Sequence, residues 1–75
     1  MTKIPSISGK ELIRILKKIG FEVSRIKGSH HLLKHLDGRS TVIPVHSNED
    51  IGTGLLNKIL KDCELTKDEL VNLLR

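Results

Sequence analysis

The chain has 75 residues, of which 37% are hydrophobic, and this predicts one folded domain, 1–75, with a modest core and not a disordered tail. No apolar run approaches the roughly eighteen residues of a membrane span, and no charged-then-apolar segment opens the chain, so we expect no membrane association. The net charge of +4 is uneven, because residues 1–46 hold nine of the 13 basic residues and three of the nine acidic ones, which indicates either a polyanionic partner, above all nucleic acid, or ordinary surface charge.

The first predicted element is an amphipathic helix that begins after Ser8. The stretch Ser8–Glu11 fits a capping box, with the serine as N-cap and the glutamate reaching back to it. Apolar residues follow at helical spacing from Leu12 to Ile19, and Gly20 suits the C-terminal cap. The opposite side of this helix carries a basic stripe of Lys10, Arg14, Lys17 and Lys18. Because its charges share one sign, we expect contact with phosphate, and a solvated helix face is the alternative.

Three antiparallel strands are predicted next, over Phe21–Lys27, His30–Leu36 and Arg39–Val45. If Asp37-Gly38 forms a two-residue hairpin loop, His31 lies opposite Pro44. In that register His46 lies diagonally from His31 on the same face, and His30 points to the other face. Pro44 then occupies a non-hydrogen-bonded site, so the third strand must be an edge strand.

Two helices are predicted at the end of the chain. Gly52–Gly54 opens the first of them, and the capping box Thr66–Glu69 starts a short last helix that ends near Leu74. The order α-β-β-β-α-α predicts an α+β fold in which helices cover one face of a three-stranded antiparallel sheet. The lone Cys63 favours a small buried thiol in a reducing cytoplasm.

The histidines dominate the chemistry of the sequence, since three of the four lie within His30–His35. Strand residues with ordinary hydrogen bonds are one interpretation. Metal binding is disfavoured, because His31 and His35 on one strand would stand about 13 Å apart, and no metal-ligand motif is present. We therefore expect no metal and no cofactor. Nucleophilic catalysis by Cys63 is disfavoured too, because its acidic neighbours raise the pKa of a thiol.

General acid–base cleavage of RNA is the fourth interpretation. Imidazole titrates near pH 6.5, so it can take the proton of a ribose 2′-hydroxyl while cations stabilise the phosphorane. His31 is the candidate base, with His46 nearby, Ser29 as a hydrogen-bond donor to phosphate and Gly28 allowing close approach of the backbone. Lys27, Lys34 or Arg25 are expected around His31. The predicted RNA-binding residues are Lys10, Arg14, Lys17, Lys18, Lys27, Lys34 and Arg39.

At these residues the chain resembles the HicA (YcfA-like) toxin family. The motifs that carry the resemblance are Ser8–Leu12, Gly28–His31, Asp37–Arg39, Val42–His46 and Gly52–Leu55, within a match from about Ile7 to Leu65. The resemblance implies a double-stranded-RNA-binding-domain-like fold and an mRNA interferase toxin that acts without the ribosome. It also implies a HicB antitoxin that covers the active histidine, which is His31, the last residue of the Gly-Ser-x-His element.

The combined prediction is a cytoplasmic, metal-independent endoribonuclease that is monomeric when free. Gly52–Gly54 replaces the lysine-rich helix start of ordinary double-stranded-RNA-binding domains, so duplex RNA is not the expected ligand. Phe21 is the sole aromatic residue, which disfavours base stacking on a sheet platform. The alternatives are a non-catalytic RNA-binding module that uses the same basic surface and an adaptor that binds an acidic protein.

Overall fold

A computed structural model describes residues 6–47 and 49–74. Its elements are α1 (Gly9–Lys18), β1 (Phe21–Lys27), β2 (His30–His35), β3 (Ser40–Pro44), α2 (Thr53–Asp62) and α3 (Lys67–Leu74). The strands form one antiparallel sheet in the order β1-β2-β3. This confirms the predicted α+β, double-stranded-RNA-binding-domain-like order and the bounds of β1, whereas β2 and β3 are shorter than predicted.

The ends of α1 follow from local sequence. The Ser8 hydroxyl accepts a hydrogen bond from the Glu11 amide at 3.2 Å, which confirms the predicted N-cap. The glutamate half of this capping box is wrong, because the Glu11 carboxylate accepts hydrogen bonds from Arg14. At the other end Gly20 follows the C-cap residue Ile19 with a φ of 103°, the left-handed geometry that favours glycine.

The short helix α3 has the full capping box that its sequence predicts. The Thr66 hydroxyl accepts from the Glu69 amide at 3.1 Å, and the Glu69 carboxylate accepts from the Thr66 amide at 2.9 Å. Two backbone donors that would otherwise face only water are thus satisfied.

No helix within residues 6–47 or 49–74 is long and apolar enough to cross a membrane.

The core lies between the helices and one face of the sheet. Each strand contributes one fully buried side chain to it, namely Phe21, Leu33 and Ile43. The fully buried helical residues packed there are Leu12, Ile15, Leu16, Ile59 and Leu70. Cys63 is buried too, as predicted, and burial together with the smaller effect of Asp62 raises the pKa of its thiol to about 11. The opposite face carries exposed residues such as Arg25, Lys34 and Val42, and no helix of residues 6–47 or 49–74 covers it. We call it the open face.

The hairpin between β2 and β3 differs from the prediction. His35 donates its amide hydrogen to the Arg39 carbonyl at 2.9 Å, and Gly38 donates to the His35 carbonyl at 3.0 Å, with a φ of 101° at Gly38. The loop therefore has three residues, 36–38, in the arrangement of a turn closed by a left-handed glycine. The predicted two-residue loop is wrong, and the register is shifted by one residue.

This shift changes which residues of β2 and β3 lie opposite each other at the far end of the hairpin. His31 lies opposite Ile43, and His30 lies opposite Pro44. The predicted diagonal between His31 and His46 is wrong, since a slip of one residue exchanges the two faces. The position of Pro44 on an edge strand is confirmed. Val45 donates to the Ser29 carbonyl at 2.7 Å, so the preceding residue, Pro44, occupies a non-hydrogen-bonded site.

Candidate active site at His31

His31 lies at the end of β2, on the face of the sheet that the helices cover. Its position follows from alternation along the strand, because Leu33, two residues further on, is fully buried in the core. His30 takes the other side and is exposed, whereas His31 is half-buried. Of the two neighbouring histidines, His31 therefore borders the core and His30 lies on the open face.

The turn before β2 is built by Gly28 and Ser29. Lys27 pairs with His30 across the hairpin, so the loop has two residues. Gly28 has a φ of 59°, the sign that the first position of a type II′ turn requires. A Cβ on Gly28 would meet no atom within 4 Å. The glycine is therefore required by backbone conformation and leaves the turn open to an approaching ligand.

The Ser29 carbonyl fixes the tautomer of His31. Its oxygen lies 3.2 Å from His31 Nδ1. Because a carbonyl oxygen only accepts hydrogen bonds, Nδ1 must carry the proton in this contact, and the lone pair of the neutral ring is on Nε2. The ring is thus held by its own turn in the tautomer that a general base needs. The role of the Ser29 hydroxyl as a hydrogen-bond donor to phosphate stays a prediction.

His31 lines a pocket of about 440 Å³ between α1 and the end of the sheet, which we call the His31 pocket. Its other lining residues are Lys10, Ile13, Lys17, Val23, Ile26 and Val45. Two lysines seven residues apart on α1, Lys10 and Lys17, thus lie on the same side of the helix as the histidine. The four apolar lining residues, Ile13, Val23, Ile26 and Val45, form what we call the apolar floor. An imidazole and two lysines that line the same pocket can bind and activate a phosphodiester.

The two other cations of the predicted helical stripe take different positions. Arg14 pairs with Glu11, with 3.1 Å between Arg14 Nε and Glu11 Oε2. This hydrogen bond holds the pKa of the Glu11 carboxyl below its usual value, and the pair offers less net charge to a phosphate than a free arginine. Lys18 is exposed and does not line the His31 pocket.

The strand cations lie on the open face, and the expectation that they surround His31 is wrong. Arg25 lies opposite Leu32 and Lys27 lies opposite His30, which places both side chains on the side of β2 that His31 does not use. Lys34, three residues after His31, faces the same way for the same reason. Sequence proximity was misleading here because a strand alternates its faces.

Arg39, a predicted RNA-binding residue, belongs to the framework at the opposite end of the sheet. It donates through Nε to Asp37 Oδ2 at 2.8 Å and through Nη1 to the Cys63 carbonyl at 2.6 Å. Its guanidinium lies 5.1 Å from the centre of the Phe21 ring. With these partners Arg39 joins the β2–β3 loop to the end of α2, and sequence reasoning missed this role.

His35 is also a framework residue. Its Nε2 lies 3.0 Å from the Ile19 carbonyl, and its Nδ1 accepts from the Asp37 amide at 3.1 Å. The ring packs edge-on against Phe21 with 5.1 Å between centroids. The structural interpretation of the histidines thus holds for His35.

His46 is exposed beyond the end of β3. The predicted register that placed it near His31 is wrong, so its catalytic role no longer has support from the pairing of the strands. Within the described ranges, no group of three or more His, Cys, Asp or Glu residues is placed to hold a metal.

Comparisons with known proteins agree with the sequence resemblance. A family model described as HicA toxin of bacterial toxin–antitoxin matches residues 9–65. The chain is also similar to a probable mRNA interferase HicA from Pseudomonas fluorescens (strain Pf0-1), with 42% identity over 55 residues. That alignment covers 73% of this chain and 90% of the relative. The residues that the family model matches include all three strands and the residues of the His31 pocket.

Proposed function

The chain belongs to the HicA toxin family of bacterial toxin–antitoxin systems, and from this premise we propose that it is an endoribonuclease that cleaves mRNA with His31 as general base. The observation that carries the proposal is the His31 imidazole, held by the Ser29 carbonyl in the Nε2 lone-pair tautomer and bordered by Lys10 and Lys17. The relative's name, probable mRNA interferase, supports RNA as the substrate.

The proposed reaction is an internal transesterification. His31 Nε2 takes the proton of a ribose 2′-hydroxyl while the 2′-oxygen attacks the adjacent phosphorus. The bond between phosphorus and the 5′-oxygen breaks, which leaves a 2′,3′-cyclic phosphate and a 5′-hydroxyl. The leaving oxygen takes a proton from the His31 imidazolium or from water. Lys10 and Lys17 stabilise the charge that develops on the phosphorane. DNA lacks the attacking hydroxyl and is not a substrate.

Membership of a toxin–antitoxin family also implies an antitoxin partner. We propose that a HicB-type antitoxin inhibits the toxin by covering the His31 pocket, which is open to solvent between α1 and the sheet. The free toxin acts as a monomer in the cytoplasm, where its mRNA substrate is. A lysine pair at the rim predicts that acidic residues of the antitoxin contact Lys10 or Lys17.

The test is cleavage of single-stranded RNA in the presence of EDTA by the wild type, His31→Ala and His30→Ala. His30 is the matched control, because it is the adjacent histidine on the open face. Loss of a general base lowers the rate by about 10²–10⁴-fold, so His31→Ala should fall by at least about 100-fold while His30→Ala keeps its activity. Circular dichroism should show both variants folded.

The other outcomes are equally informative. Full activity of His31→Ala would refute the assignment of the base. Bound but intact RNA with all three proteins, with an affinity that falls as salt rises, would make the chain a non-catalytic RNA-binding module. A wild type that cleaves only after a divalent cation is added would refute the metal-independent mechanism.

A further inference from the structure

We propose that the apolar floor of the His31 pocket is a nucleobase subsite, and that Ile26 is its main contact with the base beside the scissile phosphate. The proposal rests on the proposed function and adds what holds the substrate next to the catalytic histidine. Its occupant is one unpaired nucleotide of a single-stranded RNA. Four features of the molecule support it: the backbone of β1, the exposure of Ile26, the two lysines of the pocket and the size of the pocket.

A β-bulge brings Ile26 into the pocket. The register of β1 against β2 shifts between Val23 and Arg25, so Ser24 is an extra residue. Val23 and Ile26 are three residues apart and would point to opposite faces of a regular strand. Because of the bulge both lie on the face of His31 and both line its pocket. Bulges commonly redirect side chains in this way next to functional sites.

Ile26 is the direct cross-strand neighbour of His31. The pair that closes a two-residue loop, here Lys27 and His30, exchanges its hydrogen bonds, so the Ile26–His31 pair is of the non-hydrogen-bonded type. In such pairs the Cα atoms are only about 4.5 Å apart and the side chains are close. A ligand that reaches the histidine ring therefore meets the isoleucine as well.

Ile26 is the most exposed apolar residue of the His31 pocket. The residue is 60% exposed, although Ile13, Val23 and Val45, which line the same pocket, are buried or half-buried. The other exposed large hydrophobic residues of the described chain are Leu36, Val42 and Leu55, and none of them lines the His31 pocket. An apolar side chain kept accessible beside a catalytic group is typical of a binding surface.

The charges and the size of the pocket fit a nucleotide. Lys10 and Lys17 supply two positive charges at the rim, and none of the lining residues is acidic, so a phosphate is attracted next to the apolar floor. The volume of about 440 Å³ lies within the range of about 300–1,000 Å³ that small-ligand sites occupy. Because the floor offers no hydrogen-bonding side chain, it contacts any base through its faces, and cleavage should tolerate many sequences. A base paired in a duplex cannot enter.

The test is a thermodynamic cycle between Ile26 and the base. The substrate is a short DNA oligonucleotide that contains a single ribonucleotide, so that cleavage occurs at one known bond. In two further substrates an abasic residue replaces the base on the 5′ or the 3′ side of that bond. The enzymes are the wild type, Ile26→Thr and the control Val42→Thr, which makes the same kind of change at an exposed position of the sheet, 44% accessible, outside the pocket.

We expect Ile26→Thr to raise KM for the complete substrate about tenfold with little change in kcat, as the loss of a base contact of moderate strength does. The same substitution should have no effect on one of the abasic substrates. Val42→Thr should behave as the wild type on all three. Ile26→Phe should lower KM, because a larger planar contact strengthens binding, and a gain of this kind cannot result from partial unfolding.

The outcomes separate this subsite from the proposed function. If the wild type cleaves neither the chimeric substrate nor ordinary RNA, the endoribonuclease assignment fails and the subsite falls with it. If the wild type cleaves and Ile26→Thr matches Val42→Thr, or loses equally on complete and abasic substrates, only the subsite is refuted. In that case the exposed Ile26 is assigned to the protein partner that covers the pocket.

Discussion

Replacement of Arg39 by alanine tests whether this residue holds the framework together or binds RNA. The side chain makes three contacts, with the Asp37 carboxylate, the Cys63 carbonyl and the face of Phe21. All three partners belong to the end of the molecule remote from His31. Arg39→Ala should therefore lower the free energy of unfolding and leave the chemistry at the His31 pocket unchanged.

The expected loss of stability can be estimated contact by contact. A hydrogen bond from a charged donor to a carbonyl contributes about 1.5–3 kcal/mol, and the cation–π contact adds about 0.5–1 kcal/mol at an accessible site. The pair with the exposed Asp37 carboxylate is screened by solvent and adds little to the stability. The sum is about 2–4 kcal/mol, and for a domain of this size it should lower Tm by at least about 10 °C.

Urea unfolding followed by circular dichroism measures this loss, in a His31→Ala background so that the toxin can be produced. Arg25→Ala is the control, because Arg25 is an exposed arginine of the open face and its loss should change stability by no more than about 0.5 kcal/mol. Equal stability of the two variants would refute the framework role. A slope of log affinity against log salt that falls by about 0.7 with Arg39→Ala would instead restore Arg39 as a phosphate contact.

Two further predictions concern packing and pH. A Cβ on Gly9 would overlap the Pro44 carbonyl oxygen, so Gly9→Ala should lower the free energy of unfolding in urea by about 1–3 kcal/mol. Gly54→Ala, where a Cβ meets no atom within 4 Å, should be neutral or gain up to about 1 kcal/mol, and equal losses would contradict the steric argument. Cys63 keeps its proton up to a pKa of about 11 in the folded protein, whereas an unfolded thiol ionises near about 8.5. Stability should therefore fall as pH rises from the lower value to the higher one. Cys63→Ala should lack this alkaline loss, and an unchanged pH profile in that variant would assign the loss to another group.

Those parts of the fold that depend only on residues adjacent in the sequence could be predicted from the sequence. The serine cap of α1, the reciprocal cap of α3 and the left-handed Gly20 each require only a few consecutive residues. The edge position of β3 followed from Pro44. Proline has no backbone N–H, so no further strand can pair with β3 on the side where that donor would be needed. These features are fixed by local hydrogen bonding and sterics, which the sequence displays directly.

The hairpin register could not be predicted in this way, because Asp37-Gly38 is compatible with two loops. The pair suits a two-residue turn, and it equally suits a three-residue loop in which Gly38 takes the left-handed position. Burial decides between them. In the observed register Leu33 lies opposite Thr41, and both side chains are buried on the core face. The two-residue loop would have placed Leu33 opposite the exposed Val42, so the long-range packing of the core overrode the local turn preference.

His31 stays the predicted centre of the site, whereas the cations that line its pocket differ from the strand cations predicted around it. The sequence predicts that basic strand residues near His31 surround it. A strand, however, sends every second side chain to the other face, so Lys34 and His31 cannot serve the same pocket. Residues distant in sequence, Lys10 and Lys17, reach it because a helix repeats its direction after seven residues. The bulge at Ser24 adds Ile26 to the same face. The lining of the pocket is thus set by two periodicities, of the strand and of the helix, together with the bulge that interrupts the first, and none of the three alone identifies it.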